Sequence, residues 1–336
     1  MYVTTEDAYL TLDGENVVVN FEDGSKRPVP LHTLESIVLF TYKGASPSLM
    51  GKCSDLNISL AFYSPSGKYL ASASGRPVGN VFLRREQYRV ADDDSGSLAI
   101  AKNMVLGKLY NCKFMLLRCA RDHSMQADAE ALRSRAAVID GYMDDASCTD
   151  NMDSLRGIEG NAAAEYFSVF DEMILQNKDS FVFAGRNRRP PLDNVNAMLS
   201  FAYSLLAHDC AHALNGVGLD PYVGFMHADR PGRESLSLDL EEELRPVFAD
   251  RFVLTLINNR ILAGSDFKQM ENGAVLLTDE GRKAFLSEWQ KRKREEITHP
   301  YLKEKIPWGL VPHVQSMLLA RYIRGELDGY PSFFWK

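Results

Sequence analysis

The sequence predicts an α+β protein of two domains, a β-rich N-terminal domain followed by a larger all-α one. Three observations carry this expectation. At 336 residues the chain is more than twice as long as an average domain of ~150 residues. Over the first 85 positions, short β-branched runs alternate with turn residues. From residue 98 onward, apolar side chains recur at helical spacing instead.

Taken in order, Leu10-Thr11-Leu12, Asp13-Gly14 and Val17-Val18-Val19 read as strand, turn and strand. Ile37-Val38-Leu39-Phe40 and residues 58–63 are further short strands rich in β-formers. Between them, Pro47 suits the first turn of a short helix over 46–55. Turns are expected at Ser64-Pro65-Ser66-Gly67 and Ser74-Gly75-Arg76-Pro77. The run Asp92-Asp93-Asp94-Ser95-Gly96 is the expected linker, so the domains are 1–91 and 98–336 with residues 92–97 between them. Helices follow over 98–125, with Ile100, Met104 and Leu109 in its apolar pattern, and over 151–175, with Leu155, Ala162 and Tyr166 in its own. A long helix spans 193–216, capped by Asp193 after Pro190-Pro191 and stopped by Gly216. Two more cover 237–259 and 279–296.

The hydrophobic and charged fractions, 45% and 25%, exclude a disordered, collagen-like or disulfide-scaffold chain. Lys and Arg number 38 against 45 Asp and Glu, a net charge of −7, which excludes a histone-like basic binder. DNA binding stays open, because it depends on a local basic surface. Five cysteines, an odd number without a Cys-x-x-Cys pair, suit a reducing cytoplasm better than secretion. The first residues lack the basic and apolar regions of a signal peptide, and no 18-residue apolar run offers a membrane span.

Four segments are candidates for chemistry. Leu155-Arg156-Gly157-Ile158-Glu159-Gly160-Asn161 places two glycines around one glutamate inside a helical pattern. Each glycine costs about 0.5–1 kcal/mol there. Bare backbone lets a metal, a phosphate or another helix approach Glu159; close helix packing beside a solvated glutamate is the simpler explanation of this segment taken alone. Second, Gly224-Phe225-Met226-His227 precedes Asp239-Leu240-Glu241-Glu242-Glu243. Asp239 and Glu242 share a helical face at i,i+3. A histidine with carboxylates suits Mg²⁺ or Mn²⁺, while an acidic first turn complementing the helix dipole accounts for the same residues. Third, His208 and His212 have the i,i+4 spacing of zinc ligands, but Asp209 stands where the zinc protease motif needs glutamate. Fourth, cations cluster at Arg84-Arg85, at Arg186-Asn187-Arg188-Arg189, at Lys291-Arg292-Lys293-Arg294 and at Arg321 with Arg324. Arg186, Arg188 and Arg189 end against Pro190-Pro191, which stiffens their loop.

Together these strings resemble one family, the CRISPR-associated integrase, the endonuclease-like subunit universal to CRISPR adaptation. The matching residues run from Ser74-Gly75 through Gly79-Asn80-Val81-Phe82-Leu83-Arg84-Arg85-Glu86-Gln87-Tyr88, then Arg121-Asp122-His123 and Leu155 to Gly160. They continue through residues 188–201, 217–227 and 238–246, in family order over nearly the whole chain. The ending, residues 327–336, resembles the subtype I-C branch.

The resemblance implies an N-terminal domain that dimerises and a helical catalytic domain. It assigns Glu159, His227 and Glu242 to metal-ligand positions, with Asp239 at a neighbouring acidic position, and leaves open which of Asp239 and Glu242 ligates directly. It implies a Mg²⁺ or Mn²⁺ cofactor and a reaction in which a prespacer 3′-hydroxyl attacks a phosphodiester of the CRISPR array. Arg84, Arg85, Arg186, Arg188 and Arg189 are then expected to hold double-stranded DNA, both prespacer and repeat. Family members work as two integrase dimers bridged by a dimer of a small partner protein, and the subtype implies a prespacer-trimming nuclease. The alternatives are a structure-specific nuclease acting on branched DNA in repair, a non-catalytic DNA-binding scaffold, and a zinc hydrolase using His208 and His212.

Overall fold

A turn with Gly14 at a φ of +56° joins the first pair of long strands, and backbone of that kind suits a residue without a Cβ. The computed structural model describes residues 1–5, 7–34, 36–56, 58–65, 69–73 and 81–336. The expected turns at 64–67 and 74–77, and the matching residues 74–80, lie wholly or partly outside the described residues. The chain divides into two units, Met1–Val78 and Gly79–Lys336.

In the first unit, β1 (Tyr2–Val3), β2 (Tyr9–Asp13), β3 (Asn16–Asn20), β4 (Lys26–Pro30), β5 (Ser36–Leu39), β6 (Ser59–Tyr63) and β7 (Tyr69–Ala73) form two sheets. The first is the antiparallel meander β2-β3-β4, with Leu12 opposite Val17 and Val18 opposite Pro28. Pro28 is tolerated because β4 is an edge strand. The second, ordered β1-β5-β6-β7, is parallel at β1/β5 and β5/β6 and antiparallel at β6/β7. Helix α1 (Pro47–Asp55) starts as expected, with the Ser46 hydroxyl accepting from the Leu49 amide and Pro47 in the first turn. Leu49 and Cys53 pack with Leu10, Val17, Ile37 and Leu60 in the core of this unit.

The second unit is built on α2 (Val81–Asp92), α3 (Asp94–Asp122), α4 (Ala129–Cys148), α5 (Met152–Ser168), α6 (Asn194–Val217), α7 (Ser235–Glu242), α8 (Arg251–Asn258), α9 (Asp279–Arg294) and α10 (Val311–Ile323). The expected linker at 92–97 is no linker. Asp92 ends α2, Asp94 begins α3, and the Asp93 carboxylate caps α3 by accepting from the Gly96 amide at 2.7 Å. The acidic run is thus a helix joint, and the unit boundary falls earlier, between Val78 and Gly79.

Three further differences have local causes. The helix expected over 237–259 is α7 and α8, separated by a wider π-helical segment, Arg245–Asp250; Pro246 has no amide to donate and prevents a regular ladder. Helix α6 stops at Gly218 (φ +89°), two residues beyond the expected Gly216, while Asp193 caps it as expected. The unit is not wholly helical, since β8 (Phe267–Gln269) pairs with β9 (Val275–Leu277), and β10 (Glu296–Thr298) with β11 (Lys305–Pro307), as small antiparallel ribbons.

Candidate metal centre

Helices α3, α5 and α7 and the loop carrying His227 build the site. Helix α3 presses on α7 at Gly107, where a Cβ would lie 3.0 Å from the Glu243 Cβ. One turn on, the Asn111 side-chain amide donates to the Glu243 carbonyl at 2.7 Å. The Glu243 side chain receives Tyr330 Oη, Gln315 Nε2 and the Phe333 amide. Burial pushes its carboxyl up to about 7 despite those three donors. The C-terminal segment is therefore pinned to the C-terminal end of α7.

Asp239 is fully buried and organises the histidine loop. Its Oδ2 accepts from the amides of Phe225 (2.6 Å) and Met226 (3.0 Å), and its Oδ1 from the His227 amide (2.9 Å). His227 Nδ1 also lies 2.6 Å from Oδ1, which leaves Nε2 as the ring nitrogen able to ligate. Only glycine fits at 224, because a Cβ there would come within 2.8 Å of Ser235 and 2.9 Å of the Asp239 carboxylate. Arg156 of α5 steadies the same loop by donating to the Met226 carbonyl at 2.8 Å. Gln87 of α2 fastens its upstream end, through the carbonyls of Asp220 and Val223 and the Asp220 amide.

Glu242 and Glu159 converge on a cation. The Lys108 ammonium of α3 pairs with Glu159 and, at 2.6 Å, with Oε2 of Glu242. Arg245 takes the other Glu242 oxygen and also Glu241. Burial opposes ionisation of Glu242, but Arg245 and Lys108 overcome it and hold the carboxyl well below its ordinary value, with His227 close enough to add to the effect. The two carboxylates in turn hold Lys108 protonated against its own burial. Glu241, facing Arg245 alone, is left at about 7 by burial. A Cβ at Gly157 or Gly160 would meet nothing within 4 Å. The glycines beside Glu159 are thus not a helix-packing surface; they leave its flank open.

Among the described residues, no three His, Cys, Asp or Glu side chains stand close enough to hold an ion as now arranged. The donor chemistry nevertheless fits a hard divalent cation. Two carboxylates already share a positive charge, and Glu242 Oε2 is buried without receiving a hydrogen bond of proper geometry. The His227 imidazole is near enough to act electrostatically on Glu242.

The other expected site residues fall into two groups. Arg186 is half-buried; it donates to Asn196 (2.7 Å) and Ser200 (3.2 Å) and lies over the Tyr203 ring, whose other cation neighbour is Arg245. Arg84 is likewise committed, to the Gly218 carbonyl at 3.2 Å. Arg85, Arg188 and Arg189 are exposed. Among the described residues, the His208 and His212 pair gains no third ligand, and the intervening Asp209 is taken by Lys293 at 2.9 Å. Sequence reasoning assigned no role to Lys108, Arg156 or Arg245. Lys108 had a signal, for it sits between Met104 and Cys112 on the apolar stripe of α3, where an uncompensated charge is costly.

The chain, with its β-rich first unit, helical second unit and cluster of acids and histidine, has well-matched relatives among known proteins. The sequence pattern described as CRISPR associated protein Cas1 matches residues 1–291. A CRISPR-associated endonuclease Cas1 from Rhodospirillum rubrum is 48% identical over all of this chain and 98% of its own length. A CRISPR-associated exonuclease Cas4/endonuclease Cas1 fusion from Geobacter sulfurreducens is 33% identical over 99% of this chain and 60% of its own length. The solved structure of a Cas1 protein from Thermotoga maritima superposes with a TM-score of 0.83 at 24% identity, covering 97% of each chain. The chain belongs to the Cas1 family of CRISPR-associated endonucleases.

Proposed function

We propose that this enzyme is the metal-dependent DNA integrase of CRISPR spacer acquisition, joining prespacer 3′-hydroxyl ends to the array by phosphodiester transesterification. The observation that carries the reading is the convergence of Glu159 and Glu242 on one buried cation beside a histidine held by Asp239, in a chain of this family. Glu159, His227 and Glu242 are the residues to hold Mg²⁺ or Mn²⁺. Asp239 has spent its oxygens on the 225–227 loop and serves by fixing the His227 ring. Bound there, the metal supplies charge neutralisation at the phosphoryl oxygens and alignment of the attacking and leaving oxygens. The chain supplies the rest. Arg245 fixes the rotamers of Glu241 and Glu242, the open flank at Gly157 and Gly160 admits a phosphodiester backbone beside Glu159, and exposed Arg188 and Arg189 are placed to hold DNA phosphates.

For partners, the reading includes double-stranded DNA, a homodimer through the first unit, a small partner protein whose dimer bridges two integrase dimers, and an end-trimming nuclease. The Cas4/Cas1 fusion supports the last of these. Exposed Tyr69 and Leu70 on edge strand β7 support self-association of the first unit. No helix among the described residues is long and apolar enough to cross a membrane, and five free cysteines support a reducing prokaryotic cytoplasm.

The test is an integration assay with 3′-hydroxyl duplex ends, a repeat-bearing plasmid and the small partner, with divalent metal supplied or chelated. Metal-dependent strand-transfer products are expected. Cleavage of branched DNA with no joining under any of these conditions would point to the repair nuclease instead.

A further inference from the structure

Lys108 is an unusual group to find between two metal-ligand candidates. Its side chain is only 8% exposed and makes ion pairs with both Glu159 and Glu242. The helix that carries it packs closely on the end of α7, with Gly107 against the Glu243 side chain and Asn111 bonded to the Glu243 carbonyl. The ammonium can leave by rotating its own chain, without movement of the helix. Arg245 stays bound to Glu241 and to the other oxygen of Glu242, so departure of Lys108 frees one oxygen on each of two carboxylates while α7 keeps its position.

On the metal-site reading given above, we infer that Lys108 is a resident counter-ion that keeps Glu159 and Glu242 together before metal binds, and that an incoming divalent cation must displace it from at least one of them. A buried carboxylate and a partly buried one this close repel each other unless a cation lies between them. The lysine supplies that cation without metal, and metal entry exchanges one positive group for another. This accounts for both observations on the site: the carboxylates are gathered, yet no three ligands are close enough to hold an ion while the ammonium is in place. Lysine suits the exchange. It binds as a compact point charge on a flexible stem, whereas the guanidinium of Arg245 is forked across two carboxylates.

The experiment measures Mn²⁺ binding to the full-length protein without DNA, by calorimetry or the free-Mn²⁺ electron paramagnetic resonance signal, together with thermal unfolding in chelator and in Mn²⁺. Lys108→Met removes the competitor with little change of shape. It is expected to bind Mn²⁺ at least tenfold more tightly than wild type, to melt lower in chelator, and to gain more from Mn²⁺. Lys108→Arg keeps the charge in a bidentate form, is the variant expected to fold in chelator, and should bind Mn²⁺ no more tightly than wild type. Equal or weaker Mn²⁺ binding by folded Lys108→Met would overturn the inference, as would tighter binding by Lys108→Arg. Failure of the underlying reading looks different. Wild type would then bind no Mn²⁺, or its binding would survive both His227→Ala and Glu159→Gln.

Discussion

The histidines of α6 and the acids of α7 bring similar ligand chemistry to opposite surroundings. On α6, Asp209 meets Lys293 of α9 at 2.9 Å and the pair cancels. Burial lowers the His208 imidazole to about 4, with His212 and Lys293 adding to the effect against Asp209. On α7 and its C-cap, four buried acids, Asp239, Glu241, Glu242 and Glu243, divide the work. Asp239 holds a loop, Glu243 holds the C-terminal segment, and Glu241 shares Arg245 with Glu242. Glu159 joins them from α5. Negative charge then exceeds what Lys108 and Arg245 neutralise, and a divalent cation can use the excess. The i,i+4 spacing of two histidines conveys none of this; what decides is whether acids from other elements outnumber the cations buried with them.

The largest expected effects test that contrast directly. Glu242→Gln keeps the shape of the side chain and removes its charge, so strand transfer should fall by about a thousandfold, since a metal-stabilised step is worth several kcal/mol. Substituting His212 by glutamine should leave it unchanged. A His212 variant as inactive as Glu242→Gln would move the metal to α6. Asp239→Asn comes next. It weakens the grip on His227 without removing a ligand, so Mn²⁺ affinity should fall by about 10–100-fold, less than in Glu242→Gln. The reverse ranking would make Asp239 the ligand and Glu242 its support.

Much of this was legible from residues. The switch from β-branched runs to helical spacing showed that there are two units, though not where they divide, Asp193 and Pro47 marked helix starts, and the Gly-flanked Glu159 stood out. The remainder was hidden for physical reasons. Helix α4 carries only four buried apolar side chains, Leu132, Ala136, Ile139 and Ala146, on twenty residues, too sparse a stripe to declare itself. Asp92-Asp93-Asp94 has the composition of a linker and the geometry of a cap, and composition does not separate the two. Lys108 and Arg245 matter through partners 51 and 3 positions away; only the packing of α3 on α5 and α7 shows that the lysine faces acids.

The two basic segments sharpen the same lesson about paired and unpaired charge. Lys291-Arg292-Lys293-Arg294 has the higher density of cations, yet Lys291 pairs with Glu288, Arg292 with Glu295 and Lys293 with Asp209. It is not simply a solvated face, because Arg292 also lies over the Trp308 ring and Lys293 is half-buried. Arg188 and Arg189 are exposed on the loop before α6. Reversing both to glutamate should weaken duplex binding and lower the slope of log affinity against log salt by about 0.9 per lost contact. Reversing Arg292 and Lys293 should leave the slope nearly unchanged and cost stability instead, between the ~1 kcal/mol of an exposed pair and the ~3 kcal/mol of a buried one. An unchanged slope in the Arg188/Arg189 variant would remove that loop from the DNA path.

A further effect concerns His208 and is a matter of proton linkage. Its folded value, about 4, lies below the ordinary 6.5 because burial disfavours the charged ring. Between those limits the unfolded chain takes up a proton that the folded chain refuses. His208 therefore costs nothing above pH ~6.5 and drains stability as pH falls towards 4, at no more than about 1.4 kcal/mol per pH unit. Asp250, Glu241 and Glu243 act with the opposite sign nearby, since burial raises each of them to between about 6 and 7; their neutral forms are favoured on acidification. The total profile therefore mixes the two, and the difference between wild type and His208→Gln isolates the histidine. Unfolding by denaturant at pH 7, 6, 5 and 4 should show the variant losing less stability than wild type on acidification, with the gap opening below pH 6.5. Parallel curves would mean that the ring is protonated in the folded protein and shares in the Asp209–Lys293 pairing. The α6 histidines would then belong to an open electrostatic network, and their contrast with the α7 site would rest on the number of acids alone.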